Sequence, residues 1–307
     1  MEGLSVIIPV FNKIETTLRC IESVMEQNEH GSFEIIIIDN GSTDGTQEVF
    51  LVDKKIQNPP SPPFAKGGNT PLTLSPLERG AGVCNRGESS PPLEKGDVGG
   101  FSEQITYIRN EQNLGVAQAL NLGAGAAKRG VLCFMHNDVF VLRENWTAEI
   151  RNFVMQTSNA GVVGLYGAKT LRRDGSFRGK TIVHAEEVGA GLKPAPTSRK
   201  KPFEKVAVVD GLLLAMKKSV YEKIGGFCED FKVHYYDKDV SMRALKNGFD
   251  NYALNIPFEH ACGTTRDQIK TDDAIRDEAQ RKFIEIWRDH LPADVSTWRE
   301  KVGWLFR

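Results

Sequence analysis

The amino-acid sequence predicts an α/β fold, a mostly parallel sheet flanked by helices with more helices at the C-terminal end. Three observations carry this expectation. Leu4 to Val10, Phe33 to Ile38, Ile105 to Ile108 and Val131 to Met135 are short, nearly continuous apolar runs, the pattern of strands covered on both faces. Between them lie amphipathic stretches such as Glu15 to Met25, with Leu18, Ile21, Val24 and Met25 on one side, as βα crossovers require. Two acids, Asp39 in FEIIIIDNGSTDGT and Asp138 in VLCFMHNDVF, follow apolar runs. Open α/β sheets bind ligands outside the carboxyl ends of their strands.

Taken in order, further helices are read at Thr46 to Ile56 and Val116 to Lys128. The second half is less regular: a helix at Trp146 to Gln156, a strand at Gly161 to Tyr166, a turn at Asp174-Gly175 and a strand at Tyr252 to Ile256. A helix opens in His234-Tyr235-Tyr236-Asp237-Lys238-Asp239 and runs to Asn247. The last long helix, Asp272 to His290, places Ala274, Ala279, Phe283, Ile284 and Trp287 near one face, which reads as packing onto the preceding domain. Trp298, Trp304, Leu305 and Phe306 among basic residues leave a peripheral membrane contact as the second reading of the C-terminus.

One stretch breaks the pattern. Gln57 to Phe101 holds eight prolines and eight glycines in 45 residues, where a connection normally takes about 4–6 residues. It repeats itself, with Ser61-Pro62-Pro63-Phe64-Ala65-Lys66-Gly67 returning as Ser90-Pro91-Pro92-Leu93-Glu94-Lys95-Gly96. Such composition is a poor core former, so 57–101 is read as a disordered insertion, with a polyproline docking ligand as the minor alternative. The similar stretch 188–202 is read as a solvated loop.

Composition removes several function classes. With 39 basic and 40 acidic residues the net charge is -1, so no overall field attracts nucleic acid, and partners are recognised locally. The five cysteines are scattered, with no CxxC pair; this points to reduced thiols in a cytoplasmic setting. The sequence has no uninterrupted run of about 18 apolar residues, the length needed to span a bilayer, and MEGLSVIIPVFN is a poor signal peptide because its apolar run is short and lacks a basic lead.

Four places carry chemistry. Asp39 is expected to sit exposed at the sheet edge, where a carboxylate accepts hydrogen bonds from a base or ribose hydroxyls; Ser42, Thr43 and Asp44 after it read as helix caps. Asp138, closing His136-Asn137-Asp138, is placed to reach a divalent cation, Mg²⁺ or Mn²⁺, that bridges to substrate phosphates. Asp237 and Asp239 read either as helix-start acids favoured by the macrodipole or as a general base with its support from Arg243. His260 follows another strand, which makes it a second metal ligand or a structural histidine.

Taken together, VIIPVFN, EIIIIDNGSTDGT, RNEQNLGVAQALNLG, FMHNDV, GGFCEDF, YYDKDVSMRALKNGF and HACGTT resemble the family 2 glycosyltransferases. The resemblance implies the Rossmann-like GT-A fold over residues 1–265, interrupted at 57–101 and 188–202, with 266–307 as a C-terminal helical extension. It implies inverting, metal-dependent transfer of a sugar from a nucleoside diphosphate donor, in cell-surface polysaccharide or glycan synthesis. Acceptors of the family are glycans, lipid-linked glycans or proteins, and the setting implied is cytoplasmic or at the inner membrane face. By analogy Pro9, Val10, Phe11 and Asp39 line the base pocket, and Asn113, Gly115 and Asn137 lie near the donor. Asp138 and His260 are the metal ligands, Asp237 is the catalytic base, and Gly211, Asp239 and Arg243 support the base or the acceptor. Two departures stand out: His136 and Asn137 replace the first two positions of a DxD pattern, and Tyr236 stands where many relatives carry glutamate before the base. A non-catalytic sugar-nucleotide binding protein is the rival from another class. A nucleotidyltransferase is the third reading, weakened by the lack of an early glycine-rich phosphate loop.

Overall fold

The computed structural model describes residues 3–29, 31–51, 104–180, 201–261 and 269–305. The chain starts with β1 (Leu4–Val10), α1 (Ile14–Glu26), β2 (Phe33–Asp39), α2 (Thr46–Leu51), β3 (Ile105–Arg109), α3 (Val116–Ala126) and β4 (Val131–Met135). These match the expected elements to within a few residues. The predicted helix after Thr46 is described as far as Leu51, and 52–56 lie outside the described residues, as do the insertion 57–101 and residues 188–200 of the second one.

From there the chain turns into β5 (Val139–Val141), α4 (Trp146–Gln156), β6 (Ala160–Gly164), β7 (Gly167–Leu171), β8 (Phe177–Lys180), β9 (Phe203–Val206), β10 (Val208–Val209) and β11 (Leu213–Lys217). After α5 (Lys218–Ile224) and α6 (Tyr236–Lys246) come β12 (Asp250–Leu254), β13 (Phe258–His260), α7 (Ile269–Trp287), β14 (Ala293–Asp294) and α8 (Trp298–Leu305).

The central sheet has the order β3-β2-β1-β4-β11-β6-β12-β9. Pairing is parallel from β3 through β4 and between β6 and β12, while β11 and β9 run antiparallel to their neighbours. Alternate residues of each strand feed two cores. Val6, Ile8, Ile35 and Ile37 join Cys20, Ile21, Trp146 and Ile150 on one face. Ile7, Ile36 and Ile38 join Ala117, Leu120, Val240, Phe283 and Trp287 on the other. All seven residues of β2 are buried, which is why no polar alternation marks that strand. Of its two buried acids, Glu34 accepts hydrogen bonds from the Ser5 hydroxyl and the Lys128 N–H, each at 2.7 Å. Gly123 sits inside α3 because the helix presses on β1: a Cβ there would lie 2.3 Å from Ile7 Cγ2.

A smaller sheet, β10-β7-β14 with β8 on β7, caps one end of the fold. Its C-terminal strand comes from beyond residue 266, with Ala293 opposite Leu171 and Asp294 opposite Thr170. α7 also packs inward through Phe283 and Trp287, 0% and 4% exposed. The Trp287 indole N–H donates to Asp239 Oδ1 at 3.0 Å. Replacing Trp287 with Phe strands a buried carboxylate oxygen and leaves a small void, so a loss of about 2–4 kcal/mol is expected; urea midpoints check this.

Among the described residues no helix is long and apolar enough to cross a membrane. Trp298 is 76% exposed, whereas the side chains of Trp304, Leu305 and Phe306 lie outside the described residues.

Candidate active site

The carboxyl ends of β1 and β2 lie side by side, Val10 opposite Asp39, and just beyond β4 His136 meets Tyr236 in the first turn of α6. Asp39 is the last residue of β2, and parallel register sets it opposite Arg109 on β3. The expectation of an exposed carboxylate is corrected here: Asp39 is 0% exposed. Its Oδ2 accepts from Tyr107 Oη at 2.5 Å and from Arg109 at 2.6 Å, and its Oδ1 accepts the Ser42 N–H at 2.7 Å. Burial and the neighbouring carboxylate push the Tyr107 phenol well above its ordinary range, so it stays protonated and donates. Arg109 and Tyr107 were not picked out from sequence; a basic residue ending the third strand run was the available signal.

Of the three turn residues read as caps, Asp44 holds helix starts, while the Ser42 hydroxyl accepts the Asn12 N–H at 2.8 Å and Thr43 donates its own N–H to Asn12 Oδ1 at 2.8 Å. Asp44 accepts from the Ile14 N–H at 2.9 Å and from the Thr46 hydroxyl at 2.6 Å. Phe11 is half exposed, whereas the Val10 side chain is fully buried, leaving Val10 its backbone, whose carbonyl accepts from Asn40 N–H at 2.8 Å. Pro9 is partly exposed beside them. Asn40 also donates to the Gly115 carbonyl at 3.1 Å, and Asn113 Oδ1 accepts the Gly115 N–H at 2.9 Å. Gly115 has φ +87°, and a Cβ on it would meet the Lys232 carbonyl at 2.9 Å, so the loop entering α3 needs glycine there. Asn137 donates to the Thr17 hydroxyl at 2.9 Å.

The β4–β5 turn carries His136 and Asp138, and β13 pairs antiparallel with β5 so that His260 lies opposite Val139. That pairing brings His260 Nε2 to 3.3 Å from Asp138 Oδ1, with His136 Nδ1 at 4.0 Å from the same oxygen. Donor atoms of the three residues lie within 4.8 Å of one another. Burial works against ionised Asp138, but the His260 hydrogen bond and both imidazoles outweigh it and hold the carboxyl below its ordinary range. Burial likewise lowers His136, favouring neutral imidazole. A neutral imidazole and an ionised carboxylate are the forms that ligate metals, so the donor set fits a divalent cation.

Asp237 stands in the first turn of α6, behind Tyr235 in a left-handed conformation with φ 68°. Its Oδ2 accepts the Gly211 N–H at 3.2 Å and its Oδ1 the Lys238 N–H at 2.9 Å. Burial first and the Asp210 carboxylate second push the Asp237 carboxyl up to about 6, against the pull of Lys238 and the two N–H donors. Asp210 was also missed, although it follows the apolar run Val206 to Val209 as Asp39 and Asp138 follow theirs. Asp237, Asp210, Gly211, Lys238, Phe177 and His136 all line one cavity of about 400 Å³. Lys238 closes its rim, donating to the Gly175 carbonyl at 3.0 Å with its ammonium 3.9 Å from the Tyr235 ring centroid.

Two residues on and in the same turn, Asp239 is 1% exposed. Arg243 Nε lies 2.8 Å from its Oδ2, an ion-pair distance without a well-aligned hydrogen bond. Burial raises the Asp239 carboxyl even against Arg243 and Trp287. This acid faces the helix packing instead of the cavity, so its contribution is to fix α6.

The sequence pattern described as glycosyltransferase-like family matches residues 98–287, more than half of the chain. The chain belongs to that family. The glycosyl transferase family 2 pattern matches residues 5–60 of this glycosyltransferase-like chain, so the proline- and glycine-rich insertion falls largely between the two matched segments. An uncharacterized protein of Sinorhizobium fredii is 23% identical over 82% of this chain and 24% of its own length. The chain thus spans about a quarter of that relative. An uncharacterized glycosyltransferase of Haemophilus influenzae is 22% identical over 95% of this chain and 78% of its own. Among solved structures, a mannosyltransferase of Pyrobaculum calidifontis in complex with GDP-Man and Mn²⁺ superposes with a TM-score of 0.54. It shares 14% identity over 85% of this chain and 57% of that one. The glycosyltransferase-like chain therefore has the GT-A fold that its motifs implied.

Proposed function

We propose that the chain is an inverting, metal-dependent glycosyltransferase that moves a sugar from a nucleoside diphosphate donor to an acceptor hydroxyl, in polysaccharide or glycan synthesis. The observation that supports it most is the placement of Asp237 and His136 on one cavity, with Asp138 and His260 grouped beside His136. A general base and a metal-ligand group then serve the two ends of one displacement.

Asp237 takes the proton of the acceptor hydroxyl, whose oxygen attacks the anomeric carbon as the bond to the diphosphate breaks. A single attack from the opposite face inverts the configuration, and no covalent enzyme intermediate forms. A carboxyl raised to about 6 is a stronger base than an ordinary aspartate and is still ionised at neutral pH. The Gly211 and Lys238 N–H groups that hold its two oxygens aim it into the cavity. Asp138 and His260, with His136 beside them, would hold a divalent cation, which would supply electrostatic stabilisation to the leaving diphosphate. The Pyrobaculum neighbour, solved with GDP-Man and Mn²⁺, supports a similar donor and metal here.

Pro9, Phe11 and the backbone of Val10 form the nucleoside side, with Asp39 acting through the turn it holds at Ser42. Asn113, Gly115 and Asn137 complete the donor side, and Gly211, Asp239 and Arg243 the base side. The setting proposed is cytoplasmic, with peripheral contact at the inner membrane face through the exposed Trp298.

The test is nucleoside diphosphate release from UDP-, GDP- and dTDP-sugars, with Mn²⁺ or Mg²⁺ against a chelator, in wild type and Asp138→Ala. One donor is expected to be hydrolysed only with metal, and Asp138→Ala to lower the rate at least about 100-fold. Donor binding without turnover, with acceptors supplied, would favour the non-catalytic reading.

A further inference from the structure

We propose that His136 and Tyr236, two of the positions where the chain departs from the family pattern, work as a pair. Tyr236 sets the tautomer of His136 so that this imidazole is a third metal ligand, and the centre prefers transition metals over Mg²⁺. The inference deepens the metal-dependent reading above and rests on it for the presence of a cation.

The two side chains are 100 residues apart in sequence and touch, with His136 Nε2 2.8 Å from Tyr236 Oη. A buried phenol has one proton to give. Tyr236 Oη lies 3.4 Å from the Gly211 carbonyl, which can only accept. With the phenolic proton directed there, Tyr236 accepts from His136 Nε2–H. The imidazole proton is then on Nε2, and Nδ1, the nitrogen facing Asp138 Oδ1, carries the lone pair. This is the arrangement in which a partner on one ring nitrogen fixes the other as ligand. Gly211 leaves room for it, because a Cβ there would lie 2.4 Å from Tyr236 Oη.

A glutamate at 236 would bring a further carboxylate beside Asp237 and Asp210, and an aspartate at 136 would bring an oxygen ligand. The chain has neither. Two imidazoles and one carboxylate form a donor set poorly matched to Mg²⁺, which favours oxygen ligands, and better matched to Mn²⁺ and more strongly to Co²⁺. Because Tyr236 directly precedes Asp237 in α6, the same hydrogen bond ties the metal ligands to the helix that carries the base.

Calorimetric titration of the metal-free protein with Mg²⁺, Mn²⁺ and Co²⁺, without donor, tests this. Affinity is expected to rise in that order, with Co²⁺ on the order of tenfold or more tighter than Mg²⁺, and the Co²⁺ absorption spectrum to report nitrogen ligation. Tyr236→Phe is expected to weaken Co²⁺ binding about tenfold, and His136→Asp to move the preference towards Mg²⁺. Equal affinity for Mg²⁺ and Co²⁺ in wild type, or an unchanged preference in His136→Asp, overturns the proposal. If Tyr236→Phe fails to fold by circular dichroism, the wild-type series and His136→Asp decide alone. No turnover is read, so a silent transfer assay counts against the catalytic reading without bearing on metal preference.

Discussion

Replacing Asp237 with Asn lowers sugar transfer by about 10²–10⁴-fold, the range of a lost general base, and leaves donor and metal affinity nearly unchanged. The amide keeps the size of the side chain and can still accept the Gly211 N–H, yet it cannot take a proton. The pH profile sharpens the result. Wild-type transfer rises as pH passes through about 6 because the carboxyl ionises there, and residual activity in the variant lacks that limb. Stability moves the opposite way. The folded carboxyl titrates above its unfolded value of 3.8, so between about pH 4 and 6 the native state binds more protons than the unfolded chain. Folding stability therefore falls across that window and stays lower above it. At pH 7 Asp237→Asn should melt on the order of a few degrees higher than wild type, and the gap should close below about pH 4. Equal loss of donor binding and transfer would place Asp237 in the donor site instead.

The second large effect is on folding. Asp39→Ala is expected to cost about 3–5 kcal/mol, the range for removing one partner of a buried ion pair. Asp39 is fully buried and accepts from three donors on two neighbouring segments. Its loss leaves the Tyr107 hydroxyl without its acceptor, and leaves Arg109 with the Tyr107 oxygen and the Ser42 carbonyl at 3.0 Å as partners. Adding Arg109→Leu should recover part of the loss, since an apolar replacement removes the stranded charge. Urea unfolding of the single and double variants, with nucleoside diphosphate binding measured alongside, separates the roles. A fully stable Asp39→Ala that no longer binds nucleotide would assign Asp39 to direct contact, against the support role the burial favours.

The first half of the fold was legible because its strands are buried on both faces and its helices keep one apolar side, so period and composition agree. β2 and β4 were placed within one residue for that reason. Of the later strands, β6 and β12 were placed to within two residues, whereas β7 opens on glycine and β10 and β14 are two residues long, so tertiary pairing and not local preference makes those three strands. In the site, carboxylates after apolar runs announced themselves, but their partners did not. Arg109 reaches Asp39 through strand register, and Tyr236 reaches His136 across 100 residues; neither relation leaves a trace in local spacing.

The recognisable motifs end near residue 265, yet the polypeptide goes on to give β7 a neighbour through β14 and to place the Trp287 indole against Asp239. The helix carrying the proposed base is thus buttressed by residues outside the run of motifs. What looks in sequence like a trailing appendage is a clasp, and the unit able to hold its shape is longer than the unit that names the chemistry.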